Sequence, residues 1–489
     1  MGVLSKLEPA AVFNYFEEIC GIPHGSGNVK KIGQYLMDFA KKHGLSACMD
    51  ETGNVIIVRE ASKGMEACEP YIIQGHMDMV AVKDADCGLD LEQEGLSLKV
   101  DGDYIYADKT SLGADDGIAV AYAMALLSDT SLKTPRIEAV FTVDEEVGME
   151  GATAVDLSDL KGNMLINIDS EEEGILLTSC AGGMRIESRI NLLFTEKTGY
   201  KAKIEVSGLL GGHSGQEINN GRINANVMLG RILFLLKQQE FIALISLSGG
   251  EKDNVIPNRA MAEILINESE GRKAKEIVER QLAEMEENIK NEYGSKEPDV
   301  KISFYCEENI SKEYVMSEDS IKAVLDYISL QPNGVQKMSA SIEGLVETSL
   351  NMGVIGIEGN TFVGTQCLRS SVLRELEMLR DKVMFITKEC TGNAVAHGVY
   401  PPWEYKEDSK LREIMIKAYK DMFGKEPLVE AIHAGLECGI LASKKPGLDC
   451  ISFGPDMYDI HTTKERLSIS STKRMWEYLV KIVTSAQTV

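Results

Sequence analysis

The sequence predicts an α/β domain interrupted by an inserted α+β domain. Three observations carry that expectation. Apolar strand-like segments alternate with helical ones through residue 169, the order strand, helix, strand occurs twice in the middle of the chain, and the first kind of patterning resumes after Tyr400-Pro-Pro-Trp403. Alternation marks a sheet covered by helices, whereas strand-helix-strand units with one exposed helix face suit a separate antiparallel sheet.

In chain order, a helix is expected over residues 28–43, where Val29, Ile32, Tyr35, Leu36 and Phe39 recur at helical spacing, Ser26 offers a cap and Gly44 a stop. Short strands follow at 54–58 and 71–75. The second of these, Tyr71-Ile-Ile-Gln-Gly-His-Met-Asp78, runs from apolar residues straight into His76 and Asp78. Alternation puts those two side chains on one side and Met77 on the other. Asp115-Asp116 then precede Gly-Ile-Ala-Val-Ala-Tyr-Ala-Met-Ala-Leu-Leu, which is apolar all round and predicts a buried helix with an acidic start. The strand Ile137 to Thr142 runs into Asp144-Glu145-Glu146, and the strand Met164 to Ile168 into Asp169. In open α/β sheets, sites lie beyond the carboxyl ends of the strands.

The middle of the chain reads as strand (Ala260 to Ile266), charged amphipathic helix (Gly271 to Tyr293) and strand (Val300 to Cys306). Thr361 to Arg369, Ser371 to Glu389 and Asn393 to His397 repeat that order, which suggests a duplicated unit. The expected division is therefore 1–185 and 398–489 for the two parts of the outer domain, with 186–397 inserted between them. A length of 489 residues agrees with two large units or three ordinary ones, at about 150 residues per domain.

Composition excludes several classes of function. A formal charge of −25, from 51 basic and 76 acidic residues, argues against nucleic-acid and anionic-membrane partners, which require clustered Lys and Arg. The ten cysteines form no CxxC pair and no regular framework, as expected of reduced, packed thiols. No signal-like segment opens the sequence and no apolar run reaches the ~18 residues of a membrane span, so a cytoplasmic protein is expected.

His76, Asp115, Glu146, Asp169 and His461 are two imidazoles and three carboxylates, each at the end of an expected strand or helix. Nitrogen and oxygen donors without thiolate suit zinc, with manganese or cobalt as alternatives. Five ligands serve two ions about 3.5–4 Å apart only if one carboxylate bridges them, and Asp115 is the expected bridge. Asp78 would orient His76 from the outer shell. Glu145, beside a ligand, is the expected general base, its pKa raised by burial.

The motifs Gly-His-Met-Asp78, Ser-Leu-Gly-Ala-Asp115-Asp116-Gly, Asp-Glu145-Glu146-Val-Gly, Asn-Ile-Asp169-Ser-Glu-Glu, Gly-Gly-His213-Ser-Gly, His433-Ala-Gly-Leu-Glu437 and Ile-His461-Thr-Thr occur in this order. Together they resemble the zinc-dependent M20 metallopeptidases, and within them the aminoacyl-histidine dipeptidases, over essentially the whole chain. The resemblance implies a zinc-peptidase-like mixed sheet flanked by helices, with the inserted domain as a lid. It also implies that His76, Asp115 and Asp169 hold one ion and Asp115, Glu146 and His461 the other, with the Asp115-Asp116 peptide cis. His213 would donate to the reaction oxyanion. Asn254 and Arg369 would bind the substrate carboxylate, which suits the arginine fork, and Glu437 the amino end.

The activity so implied is hydrolysis of unblocked dipeptides, including Xaa-His and β-alanyl-His, by water activated between two divalent ions. A tripeptidase or N-acyl-amino-acid deacylase of the same architecture is the nearest alternative. A non-catalytic metal-dependent binding protein is a further one, although it would have no use for Glu145. The inserted segment is long enough for two copies of a simple lid, so either a monomer or a homodimer fits.

Overall fold

The computed structural model describes residues 2–238 and 241–485. The chain divides into two compact units, one of residues 1–179, 405–431 and 436–489, the other of residues 180–404 and 432–435.

The first unit is built on an eight-stranded sheet. Its strand order is Ser46–Met49, Val55–Arg59, Ile137–Thr142, Tyr71–His76, Met164–Asn167, Asp449–Ser452, Ile175–Cys180 and Leu428–Ile432. The four central strands pair in parallel, with Tyr71 opposite both Ile137 and Met164. Every residue of Tyr71–His76 and of Ile137–Thr142 is buried, as expected of parallel strands covered on both faces. The helix Ala114–Ser128 lies in the core, and all its residues but the last are buried, which explains its apolar sequence. Asp115 and Asp116 at its start have non-helical backbone angles, and the peptide between them is cis. Gly75 allows this packing, because a Cβ there would lie 2.6 Å from Asp116 Oδ2.

The helix expected over 28–43 forms as Lys30–His43 and stops at Gly44, which adopts the left-handed conformation with φ of 68°. Ser26 does not cap it. The residue before the helix is Val29, and the Ser26 hydroxyl donates instead to Asp78 Oδ2 at 2.8 Å. A functional-site carboxylate thus takes a side chain that local pattern assigns to a helix end.

The second unit carries a nine-stranded antiparallel sheet and contains two copies of one topology. In the first, Phe194–Ser207, helix Ala225–Lys237, Ile242–Gly249, Ala260–Asn267, helix Gly271–Tyr293 and Lys301–Met316 follow in the order β-α-β-β-α-β. In the second, Gly182–Asn191, helix Glu318–Leu330, Val346–Glu358, Thr361–Ser370, helix Leu373–Glu389 and Asn393–Tyr400 do the same, with the whole first copy inserted after its opening strand. Within each copy the strands lie in the spatial order fourth, first, third, second, and the two second strands join the halves through Gly249 and Ile355. This is the split β-α-β arrangement of ferredoxin-like folds. The strand expected over Val300 to Cys306 runs on to Met316, because Phe194–Ser207 offers it a partner along its whole length.

No disulfide joins any of the ten cysteines; Cys48 is exposed, Cys87 half-buried and the rest buried. No helix among the described residues is long and apolar enough to cross a membrane.

Candidate active site

His76 closes its strand and is 1% exposed. Its Nε2 lies 3.1 Å from Asp115 Oδ1 and 3.9 Å from Asp169 Oδ1. The other oxygen of Asp115 faces a different histidine, with Oδ2 3.1 Å from His461 Nε2, and that imidazole is also 2.9 Å from Glu146 Oε1. Asp115 therefore presents one oxygen to each imidazole, the disposition a bridging carboxylate needs. Donor atoms of Asp115, Glu146 and His461 all lie within 4.8 Å of one another, as do those of His76, Asp116 and Asp169. Asp116 has no role in the sequence pattern, yet its Oδ2 accepts the His76 N–H at 3.2 Å. The doubled aspartate was the available signal, but nothing in the pattern says that both carboxylates point into one cluster.

Around His76 the structure refines the expected support. Its Nδ1 is 3.0 Å from the backbone carbonyl of Asp78 and 3.6 Å from the carboxylate Oδ1. The Asp78 side chain is otherwise engaged: Oδ1 accepts the Glu145 N–H at 3.0 Å, and Oδ2 accepts the Ser26 hydroxyl and, at 3.4 Å, the Glu146 N–H. One residue thus holds the imidazole with its backbone and the Glu145-Glu146 turn with its carboxylate.

Five carboxylates and two imidazoles crowd this cluster, and its electrostatics follow from that imbalance. Burial pushes Glu145 up to about 8, with the charges of Glu437, Glu146 and Asp115 adding to the rise against the opposing effect of His76. Asp169 and Asp116 are held well above the ordinary carboxylate range, first by burial and then by neighbouring carboxylates. Asp115 goes the other way: burial opposes its ionisation, but hydrogen bonds from His461 and His76 hold it below the usual value. Hydrogen bonds to Asp115 and then Glu146 raise His461 to about 10. Buried negative charge in such excess calls for positive charge, and the nitrogen and oxygen donor set fits divalent cations.

A polar network lies on the same sheet face. Asn167 donates to Gln74 Oε1 at 2.6 Å, and Gln74 and Thr142 donate to Glu437 Oε2 at 2.5 and 2.6 Å. Glu437 is fully buried, and its Oε1 has no hydrogen-bond partner among the described residues.

The second unit brings His213 and Arg369 together. His213 sits in the short strand Gly212–His213, paired with Val255–Ile256 beside Asn254, whose carbonyl accepts the Ser214 N–H at 2.9 Å. A Cβ on Gly215 would lie 3.0 Å from His213 Cε1 and 3.2 Å from Arg369 Nε, so the glycine permits this proximity. His213 Nδ1 accepts the N–H groups of Gly215 and Gln216 at 3.3 and 3.1 Å. With Nδ1 an acceptor, the neutral ring carries its proton on Nε2 as a donor. Burial first, then the Arg369 charge, lowers its pKa and keeps it neutral. Arg369 is 7% exposed and donates to the Tyr400 hydroxyl at 3.2 Å, and its Nε has no hydrogen-bond partner among the described residues. His433, on the 432–435 loop, contacts Ser349 Oγ through Nε2 at 2.7 Å.

The family model of peptidase family M20/M25/M40 matches residues 72–485, most of the chain. The chain belongs to this M20 peptidase family. It is a peptide hydrolase. The cytosol non-specific dipeptidase of Escherichia coli (strain K12) is 33% identical over 486 residues, 99% of each chain. The crystal structure of aminoacylhistidine dipeptidase from Vibrio alginolyticus superposes with a TM-score of 0.92 at 32% identity, covering 99% of this chain and 98% of that one. Aminopeptidase PepT from Bacillus cereus shares the fold, with a TM-score of 0.55 at 15% identity and 98% of each chain covered. The M20 assignment accounts for the mixed α/β architecture expected from sequence.

Proposed function

We propose that this M20 peptidase hydrolyses unblocked dipeptides, Xaa-His and β-alanyl-His among them, with two divalent cations. The observation that carries the reading is Asp115, with one carboxylate oxygen on each of two histidines, beside the half-buried Glu145 that Asp78 holds in place. His76, Asp115 and Asp169 would hold one ion, and Asp115, Glu146 and His461 the other. Zinc suits these nitrogen and oxygen donors, with manganese or cobalt as alternatives. Bound cations would supply Lewis-acid charge that acidifies water and polarises a carbonyl.

Glu145, its N–H held by the Asp78 carboxylate at 3.0 Å, is placed to take the water proton and return it to the leaving amine. Asp78 holds the turn that carries this base. In the second unit, which we take to be the lid, the His213 Nε2–H is the donor for a developing oxyanion. Arg369, buried and with its Nε free of any hydrogen-bond partner among the described residues, suits a substrate carboxylate, with Asn254 nearby in sequence to the strand that pairs with His213. The unpartnered Glu437 Oε1 suits a free amino group. Full-length similarity to two dipeptidases supports dipeptides over tripeptides. The cytoplasm is the proposed location, supported by the cysteines without disulfides and by the cytosol dipeptidase of Escherichia coli.

The test is one panel of dipeptides, tripeptides and N-acetyl amino acids, assayed with protein reconstituted in turn with Zn²⁺, Mn²⁺ and Co²⁺. Turnover confined to dipeptides is expected. Preference for tripeptides or for N-acetyl substrates would replace this reading with the corresponding M20 activity, and no turnover by the fully loaded protein would refute it.

A further inference from the structure

His461 stands on the loop between the paired strands Met457–Tyr458 and Arg466–Ser468. Its side chain is 44% exposed, its backbone is left-handed with φ of 59°, and neither neighbour belongs to a helix or strand. A ligand so placed needs an anchor, or its distance from Asp115 would vary with the loop. Four residues on, Glu465 is 2% exposed and spends its whole carboxylate on the segment that ends in Asp115. Oε2 accepts the N–H groups of Leu112 at 2.7 Å and Gly113 at 3.1 Å. Oε1 accepts those of Ala114 at 2.8 Å and, more weakly, Asp115 at 3.5 Å. Gly113, with φ of 67°, turns the backbone so that these donors converge, forming an anion-binding nest filled by a side chain of the protein itself.

We propose that Glu465 is a positioning residue that clamps the His461 loop to the Asp115 turn and so fixes the donor spacing of the second metal position. The inference rests on the two-ion reading above. Several bonds to backbone N–H groups hold a carboxylate more firmly than one, and charge-assisted bonds are about twice as strong as neutral ones. On the other side of the cluster, His76 ends a buried strand paired on both edges and needs no such clamp. The two positions are therefore built differently, one on the sheet and one on a loop that Glu465 ties to the Asp115 turn. Loss of Glu465 should weaken the second position selectively.

Glu465→Gln keeps the size but places an NH₂ against backbone donors, so about half of the nest is lost. Equilibrium dialysis against Zn²⁺, with metal measured by mass spectrometry, should find two ions on the wild type. On E465Q the first ion should bind as in the wild type and the second about 10–100-fold more weakly, the usual effect of disturbing an outer-shell support. Turnover should recover as free Zn²⁺ is raised, with KM unchanged. Glu465→Asp keeps both oxygens while shortening their reach, and should show the same selective loss if E465Q does not fold. Two ions at wild-type affinity in a folded variant, or equal weakening of both, would overturn the proposal. Fewer than two ions on the wild type would instead refute the two-ion reading.

Discussion

Replacing Asp78 by alanine separates two ways in which this residue could serve the site. A carboxylate that orients His76 directly would take metal binding with it. In the structure, the imidazole Nδ1 is closer to the Asp78 backbone carbonyl, at 3.0 Å, than to the carboxylate, at 3.6 Å, and the carbonyl survives the substitution. What is lost are the acceptors for Ser26 Oγ at 2.8 Å, Glu145 N at 3.0 Å and Glu146 N at 3.4 Å. Each buried donor left unsatisfied costs about 1–3 kcal/mol. The Ser26 hydroxyl can turn to the Met79 carbonyl, 3.5 Å away, and the Glu146 contact is long, so one full penalty and part of a second remain. We expect Asp78→Ala to lower stability by about 2–4 kcal/mol, read from denaturant midpoints of metal-free protein. Because the turn bearing Glu145 loses its anchor, kcat should fall by about 10²-fold, the scale of a misplacement near 1 Å. Affinity for the first ion, measured by equilibrium dialysis, should change by less than tenfold. Loss of that ion to the extent seen for His76→Ala, with stability unchanged, would refute the reasoning and return the carboxylate to His76.

Further outcomes follow from the same geometry. Glu145→Ala should keep both metal ions by dialysis while losing about 10²–10⁴-fold in kcat; near-normal hydrolysis would remove it as the base. Arg369→Ala should raise KM for free dipeptides by about 10–100-fold, taking about 1.5–3 kcal/mol for a charge-assisted pair, and leave C-terminally amidated substrates unaffected; equal effects on both would dismiss the clamp. Gly75→Ala should lower the melting temperature, since its Cβ would meet Asp116 Oδ2 at 2.6 Å and overpacking costs about 1–3 kcal/mol. His433 is lowered to about 3 by burial and then by the Arg369 charge beside it, so below about 6.5 the unfolded chain binds a proton that the folded one refuses. Stability should therefore fall as pH drops from 6.5 towards 3, by up to about 1.4 kcal/mol per pH unit, and His433→Gln should flatten that slope in metal-free protein. Parallel slopes for the two proteins would show that His433 does not titrate across folding.

Local pattern settled a good deal. The helix Gly271–Tyr293 and the strand Ile137–Thr142 form over the residues expected, because periodicity and flanking breakers act within a few residues of the chain. The same logic placed His76, Glu145, Glu146 and Asp169 at or just beyond strand ends, on the side of the sheet where chain reversals gather polar groups. The sequence also announced the duplicated strand-helix-strand order. It did not reveal that one whole β-α-β-β-α-β copy is inserted after the first strand of the other, since strand pairing is a choice among distant partners.

What only the tertiary structure decided is which groups meet. Ser26 reads as a helix cap but serves Asp78, Asp116 reads as a neighbour of a ligand but faces His76 and Asp169, and Glu465 carries no signal at all beyond being one acid among 76 acidic residues. The physical reason is common to all three. A carboxylate's role is set by the donors and charges that folding brings within about 3 Å, and those come from distant segments, 353 residues apart for Glu465 and Leu112.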